Sequence, residues 1–163
     1  MASTIIIYGA TGVVGSGIIK VFLQNYPQIK IVAPVRNDPS RLLKTLDLIS
    51  TPENLLIPEL PYLDEPEKLV QWVTQNIPGG KIDHVVFIAG GLVGQYSVNE
   101  ITESILIDAI KYKVSNTISA YNALEPLLKN EETSGFTVVT GAAGTKCFYP
   151  AMGLLTIANA SQF

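Results

Sequence analysis

Cysteine is nearly absent from this chain. Its one thiol, Cys147, cannot close an internal disulfide and offers no spacing for a metal. A small packed residue is a better reading of it than a nucleophile. Charge is also scarce: 15% of residues are charged, against 47% hydrophobic. That balance favours a sheet buried on both faces over a solvated module. The net charge is -3, and no lysine run or basic patch occurs, which argues against nucleic acid as a partner. No apolar run approaches the roughly 20 residues that span a bilayer. A basic leader is missing, and Ile5 to Tyr8 is too short for a secretory core. The expectation is a soluble, cytoplasmic protein with no membrane partner. The phosphate-loop pattern G-x-x-x-x-G-K-[ST] is missing too, which excludes that class of nucleotide site.

What is present is a glycine turn between a strand and a helix. Ile5-Ile6-Ile7-Tyr8 runs into Gly9-Ala10-Thr11-Gly12-Val13-Val14-Gly15. A strand feeding a helix through glycines brings backbone N–H groups and the positive end of the helix dipole close to a ligand phosphate. In this reading Gly9 permits the tight turn. Gly12 lets a pyrophosphate approach, and Gly15 lets the helix lie close to the strand. The alternative is a strand–helix turn that binds nothing.

The rest of the chain alternates in the same way. Strands are expected at 4–8, 29–35, 54–58, 84–91 and 135–141. After Gly12, Val14, Ile18, Val21 and Phe22 share a helix face. Asp38-Pro39-Ser40 opens a second helix with Leu42, Leu43, Leu46 and Leu48. Glu65-Pro66-Glu67 opens a third, which buries Leu69, Val70, Val73 and Ile77 before Pro78-Gly79-Gly80 stops it. A long helix is expected over 99–129, with Ile110, Val114, Ile118 and Tyr121 in register and Pro126 late in it. Five alternations predict one α/β domain over 1–163, a Rossmann-type doubly wound parallel sheet of order 3-2-1-4-5. Ligands bind at the carboxyl ends of such strands. That edge collects Gly9–Gly15, Val35–Asn37, Ala89–Gly91 and Thr140–Gly144.

The end of the second strand bears on cofactor choice. An acid there would bond a ribose 2′-hydroxyl, whereas an arginine can hold a 2′-phosphate. The chain reads Pro34-Val35-Arg36-Asn37, which favours NADP over NAD. The competing reading is a surface arginine paired with Asp38.

The glycine turn, Val35-Arg36-Asn37, the Ala89-Gly90-Gly91 strand end and Val138-Val139-Thr140-Gly141 together resemble the short-chain dehydrogenase/reductase family. The glycine spacing looks like that of its extended and atypical members. The resemblance implies a Rossmann fold, a nicotinamide dinucleotide and a homo-oligomer. It puts cofactor contacts at Gly9, Thr11, Gly12, Val13, Val14, Gly15, Arg36, Asn37, Leu63, Ala89, Gly90, Gly91 and Thr140. The family's Asn-Ala-Gly maps onto Ile88-Ala89-Gly90, and its adenine-contacting acid falls at Tyr62 beside Leu63.

The catalytic half matches poorly. The family's asparagine falls on Lys113, its serine on Ala142, its tyrosine on Leu155 and its lysine on Asn159. Leucine cannot transfer a proton, and alanine cannot orient a carbonyl. Tyr149 has Gly153, not lysine, four residues on. Family members also continue past the helix in which Phe163 falls, with further strands and a substrate region.

Two functions follow. One is an NADP-binding protein without catalytic residues, acting as a cofactor-binding subunit or the partner of a related chain. The other is an enzyme on this fold with a non-standard site, either an NADPH-dependent carbonyl reductase or a non-redox isomerase, dehydratase or cyclase. Its candidates are Tyr149, Lys146, Cys147, Lys113 and Tyr112. The long helix, with Ile105, Ile110, Val114, Ile118 and Leu124, suggests a two-fold contact between copies. Were all these residues to face the sheet, the chain would be a monomer.

Overall fold

The computed structural model describes residues 3–90 and 94–162. The chain divides into two compact units, Met1–Ile88 with Ala120–Val138, and Ala89–Ser119 with Val139–Phe163.

The first unit holds the whole sheet. Its strands are β1 (Thr4–Tyr8), β2 (Lys30–Val32), β3 (Leu55–Leu56), β4 (His84–Phe87) and β5 (Gly135–Val138). All neighbours pair in parallel, in the order β3-β2-β1-β4-β5. That is the expected topology. β1 has the expected bounds, whereas the later strands are shorter than their β-rich sequences, which carry on into the loops that leave the sheet. Beyond β2, for example, Val35 makes only an isolated bridge to Glu59.

Helix α1 (Val13–Asn25) follows β1, α2 (Pro39–Leu46) follows β2 and α3 (Pro66–Asn76) follows β3. In α3, Leu69 and Val73 are buried, as is Ile77 just beyond it. Its proline start and the turn at Pro78–Gly80 fall where the sequence puts them. Side chains alternate across β1. Ile5 and Ile7 pack into a cluster with Ala10, Ile19, Leu42 and Leu46. On the other face, Tyr8 meets Tyr62 edge-on with centroids 4.9 Å apart and stacks on Phe87 at 5.1 Å. Each fully buried aliphatic side chain contributes about 1.5–3 kcal/mol.

The expected inward face of α1 needs correction. Ile18 and Phe22 do pack on the core, but Val14 and Val21 are half exposed. The helix buries Gly15, Ser16 and Ile19 instead. Gly15 decides this rotation: a Cβ there would lie 2.3 Å from the carbonyl oxygen of Gly9. Only a glycine lets the helix sit that close.

The long helix also differs from expectation. Ser97 and Glu100 form a capping box around a separate 3-10 turn at Val98–Glu100. The helix proper begins after Thr102, whose side chain accepts from the Ile105 N–H. It runs as α4 (Glu103–Ile110), a π-helical turn (Lys111–Ser115) and α5 (Asn116–Leu124). Pro126, with no N–H to donate, stands in a closing 3-10 turn at Glu125–Leu127. The buried positions are Ala109, Lys113, Ala120 and Leu124, while Ile118 and Tyr121 are half exposed. The helix buries its alanines and Leu124 and turns Ile107, Ile118 and Tyr121 outward. Leu124 is wholly buried and cannot join a contact between copies. Among the described residues, no helix is long and apolar enough to cross a membrane.

The second unit ends in α6 (Gly153–Ala160). Leu154 and Ala158 pack on Ala109, with Tyr96, Ile101, Ile105 and Leu106 around them. Gly153 is tight against Val98 and the Tyr96 carbonyl, and a Cβ there would sit 2.9 Å from the Val98 nitrogen.

At the amino ends of the strands, Asp83 ties the sheet together. Its carboxylate accepts from the Thr4 N–H and from Lys129 Nζ, both at 2.7 Å. Its own backbone bonds to Thr4 and Gly135. Burial raises the pKa of this carboxyl, but the bonds from Lys129 and Thr4 outweigh that, and the net direction is down.

Two outcomes follow. Gly15→Ala should cost about 2 kcal/mol through overpacking and lower Tm by about 5 °C, read by thermal melting. Asp83 has a folded pKa below its unfolded one, so its contribution is full above the unfolded value and fades as pH falls through the folded value. Urea unfolding should therefore separate wild type from Asp83→Asn by a constant margin between about pH 5 and 7. The margin should shrink below about pH 4, and a pH-independent margin would refute this assignment.

Candidate functional site

In the first unit, the site begins where β1 ends. Gly9 has a φ of 83°, a left-handed conformation that glycine adopts freely. Its carbonyl accepts from the Gly12 N–H at 3.0 Å, which closes the turn. Gly12 is the N-cap of α1 but supplies no side-chain bond, and the first turn carries no acid. A helix start leaves its first N–H groups without intrahelical partners. Here Val13 is 91% exposed, and Gly12 and Val14 are exposed beside it. Thr11 is half buried. Two other helix starts have side-chain caps, α2 from Asp38 and α4 from Thr102, while α3 and α6 begin, like α1, without one. The start of α1 is an open, positively polarised set of donors.

Arg36 stands after Val35, whose backbone is held by Pro58 and Leu60 at 2.9 and 2.8 Å. Arg36 and Asn37 are exposed. The Asp38 carboxylate accepts from the Ser40 N–H at 3.1 Å and from the Ser40 hydroxyl. It is engaged as a helix cap, and no ion pair joins it to Arg36 among the described residues. Arg41 is also exposed, in the first turn of α2.

Leu63 is half buried in the loop after β3, whereas Tyr62 turns inward and is 6% exposed. Tyr8 is fully buried, and its hydroxyl has no hydrogen-bond partner among the described residues. Burial, with smaller contributions from Tyr62 and Glu67, raises its pKa far above the usual phenol range. It is a neutral wall, not a base.

In the second unit, Ala89 and Gly90 are half buried, and Gly91 lies outside the described residues. Lys113 Nζ donates to the Gly90 carbonyl at 2.9 Å. Burial lowers the pKa of this amine. Its own carbonyl accepts from the Thr117 hydroxyl at 2.6 Å and from Gln162 Nε2 at 3.3 Å. The Thr140 hydroxyl donates to Gln162 Oε1 at 3.1 Å or to the Asn159 carbonyl at 3.4 Å. Asn159 is buried, and its Oδ1 has no partner among the described residues.

The candidates for chemistry are not brought together. Tyr149 and Tyr112 are 53% and 38% exposed, and Lys146 and Cys147 are exposed. The Cys147 thiol donates to the Tyr149 carbonyl at 3.3 Å. Among the described residues, none of these bonds to Lys113, and no group of metal-ligating side chains occurs. Ala142 opens a 3-10 turn and Leu155 lies within α6, so neither position can supply a proton. A groove of about 570 Å3 opens elsewhere, beside the amino end of β5, among Tyr121, Lys129 and Phe136.

The chain has the fold of short-chain dehydrogenase/reductase structures. One from Streptomyces avermitilis superposes at a TM-score of 0.80 and 16% identity, over 99% of this chain and 57% of its own. A short-chain dehydrogenase/reductase from Brucella melitensis, described as a glucose/ribitol dehydrogenase, gives 0.79 and 19% over 98% and 65%. A Pseudomonas aeruginosa short-chain oxidoreductase with an atypical catalytic centre gives 0.77 and 16% over 98% and 60%. The chain therefore spans about three-fifths of the length of these structures. No protein-family model and no curated protein matches it.

The cap assignment separates two variants. Asp38→Ala should cost about 1 kcal/mol and lower Tm, whereas Arg36→Ala should leave Tm unchanged. An equal loss in both melts would restore an Arg36–Asp38 pair.

Proposed function

We propose that this chain binds a nicotinamide dinucleotide, with NADP(H) preferred over NAD(H), and that it does so without the catalytic groups of a reductase. The observation that carries the proposal is the uncapped start of α1 beside the left-handed Gly9. A pyrophosphate there would accept from the free N–H groups of Val13, Val14 and Gly15 and gain from the helix dipole. Arg36, exposed and outside any ion pair among the described residues, suits the 2′-phosphate, because its fork of donors matches phosphate oxygens. Asn37 and Leu63 would border the adenosine. The reading is built on the first unit alone. Ala89, Gly90, Gly91 and Thr140 remain expected dinucleotide contacts of their own.

The chemistry is proposed to be absent for a residue-level reason. Ala142 and Leu155 stand where proton transfer and carbonyl orientation would be needed. Tyr149 is exposed, with no hydroxyl bond among the described residues. The role we propose is a cytoplasmic cofactor-binding subunit, assembled with a second copy or with a related active chain. Half-exposed Ile107 and Ile118 on the long helix are the apolar surface that supports assembly.

Calorimetric titration tests the binding. Arg36→Ala should weaken NADPH binding about tenfold or more, the loss of a charge-assisted contact, and leave NADH nearly unchanged. Equal loss for both cofactors would remove the 2′-phosphate assignment. Gly12→Val should abolish both, with a native circular dichroism spectrum retained.

A further inference from the structure

Lys113 is an unusual residue to find inside a protein. It is 8% exposed, and among the described residues no carboxylate pairs with it. The ion pairs there are Lys20–Asp47, Lys68–Glu65 and Lys129–Asp83. A buried ammonium without a counter-charge opposes folding, and a methionine or leucine in its place would ordinarily be neutral or better. The lysine nevertheless lies flat along Gly90. A Cβ on that glycine would meet its Cδ at 3.1 Å, its Nζ at 3.3 Å and its Cε at 3.4 Å. Gly90 has a φ of 138°, which side chains rarely adopt, and its carbonyl is the acceptor for Nζ at 2.9 Å.

The backbone of Lys113 is held as well. It lies within the π-helical turn Lys111–Ser115, and its carbonyl takes the Thr117 hydroxyl and the Gln162 amide. Turns of this kind inside helices recur at functional sites. One residue thus fixes the glycine, the helix and the residue two beyond the end of α6.

We infer that Lys113 is a positioning residue for ligand binding: it holds the Gly90 turn with a buried charge that the free protein does not need. This rests on the reading of the ligand as a nicotinamide dinucleotide, of which Gly90 is an expected contact. A lysine kept only for the fold would stabilise the free protein. One kept for the ligand destabilises the free protein and stabilises the complex.

The two roles predict opposite signs, so the full chain with Lys113→Met tests them directly. Thermal melting of the free protein should show an unchanged or higher Tm. Titration with NADPH should show affinity reduced about tenfold or more. Gly90→Ala should weaken NADPH binding with Lys113 intact, because the turn itself would be strained. A lower Tm for Lys113→Met with unchanged affinity would overturn the inference and leave a structural lysine. If Lys113→Met does not fold, Lys113→Gln removes the charge at similar length and reads the same two quantities. Failure of wild type to bind NADPH would instead overturn the dinucleotide reading, and the inference with it. Wild-type binding with unaffected variants would overturn the inference alone.

Discussion

One backbone contact governs the first unit: Gly15 against Gly9. With a Cβ position only 2.3 Å from the Gly9 oxygen, α1 can pack where it does only because residue 15 has no side chain. That contact sets the rotation of the helix about its axis. It turns Ile19 inward and leaves Val13 and Val14 outside, with the first N–H groups open. A helix set one residue differently would bury Val14 and press its free donors against the core, where they would need partners. Close packing and an open helix start are therefore one feature, produced by the same glycine.

The sheet concentrates its polar work at opposite ends. At the amino ends, Asp83 and Lys129 form a partly buried pair with every carboxylate oxygen engaged, which is how charge is kept inside a core. At the carboxyl end of β1, the polar groups of the Gly9–Gly15 turn are left open. The charged pair and the open turn thus lie at opposite ends of the sheet and share no residue.

Much of this was legible in the sequence. Five alternations of strand and helix were enough for the order β3-β2-β1-β4-β5, since right-handed crossovers leave few other arrangements. Leu69, Val73 and Ile77 were legible because α3 has large apolar residues on one stripe only. The inward face of α1 was not, because apolar residues occur nearly all round it and the decisive residue is a glycine, which carries no hydrophobic signal. Ala109 and Ala120 were overlooked for a related reason: small residues permit close approach, yet a periodicity argument favours large ones. Thr102, a single capping residue, moved the start of the long helix. Lys113 could be placed in the sequence, but its burial could not, because a lysine counts as polar wherever it falls in a helical pattern. The Asp38 cap was equally invisible, since Arg36-Asn37-Asp38 reads as readily as an ion pair.

A helix start without a cap and a lysine without a counter-charge are features of one kind. Each leaves polar capacity unused in the free chain, and each opposes folding by an amount that a single substitution could remove. The chain caps two of its other helix starts with side chains, Asp38 at α2 and Thr102 at α4, and leaves α3 and α6 without one. It also pairs the partly buried Lys129 with Asp83. The means to satisfy such groups are present in this fold and are used. Their omission at α1 and at Lys113 falls on donors in both cases, N–H groups and an ammonium. Open donors at the start of α1, with no acid in its first turn, suit the holding of an anion, which is the physical ground of the proposed binding role.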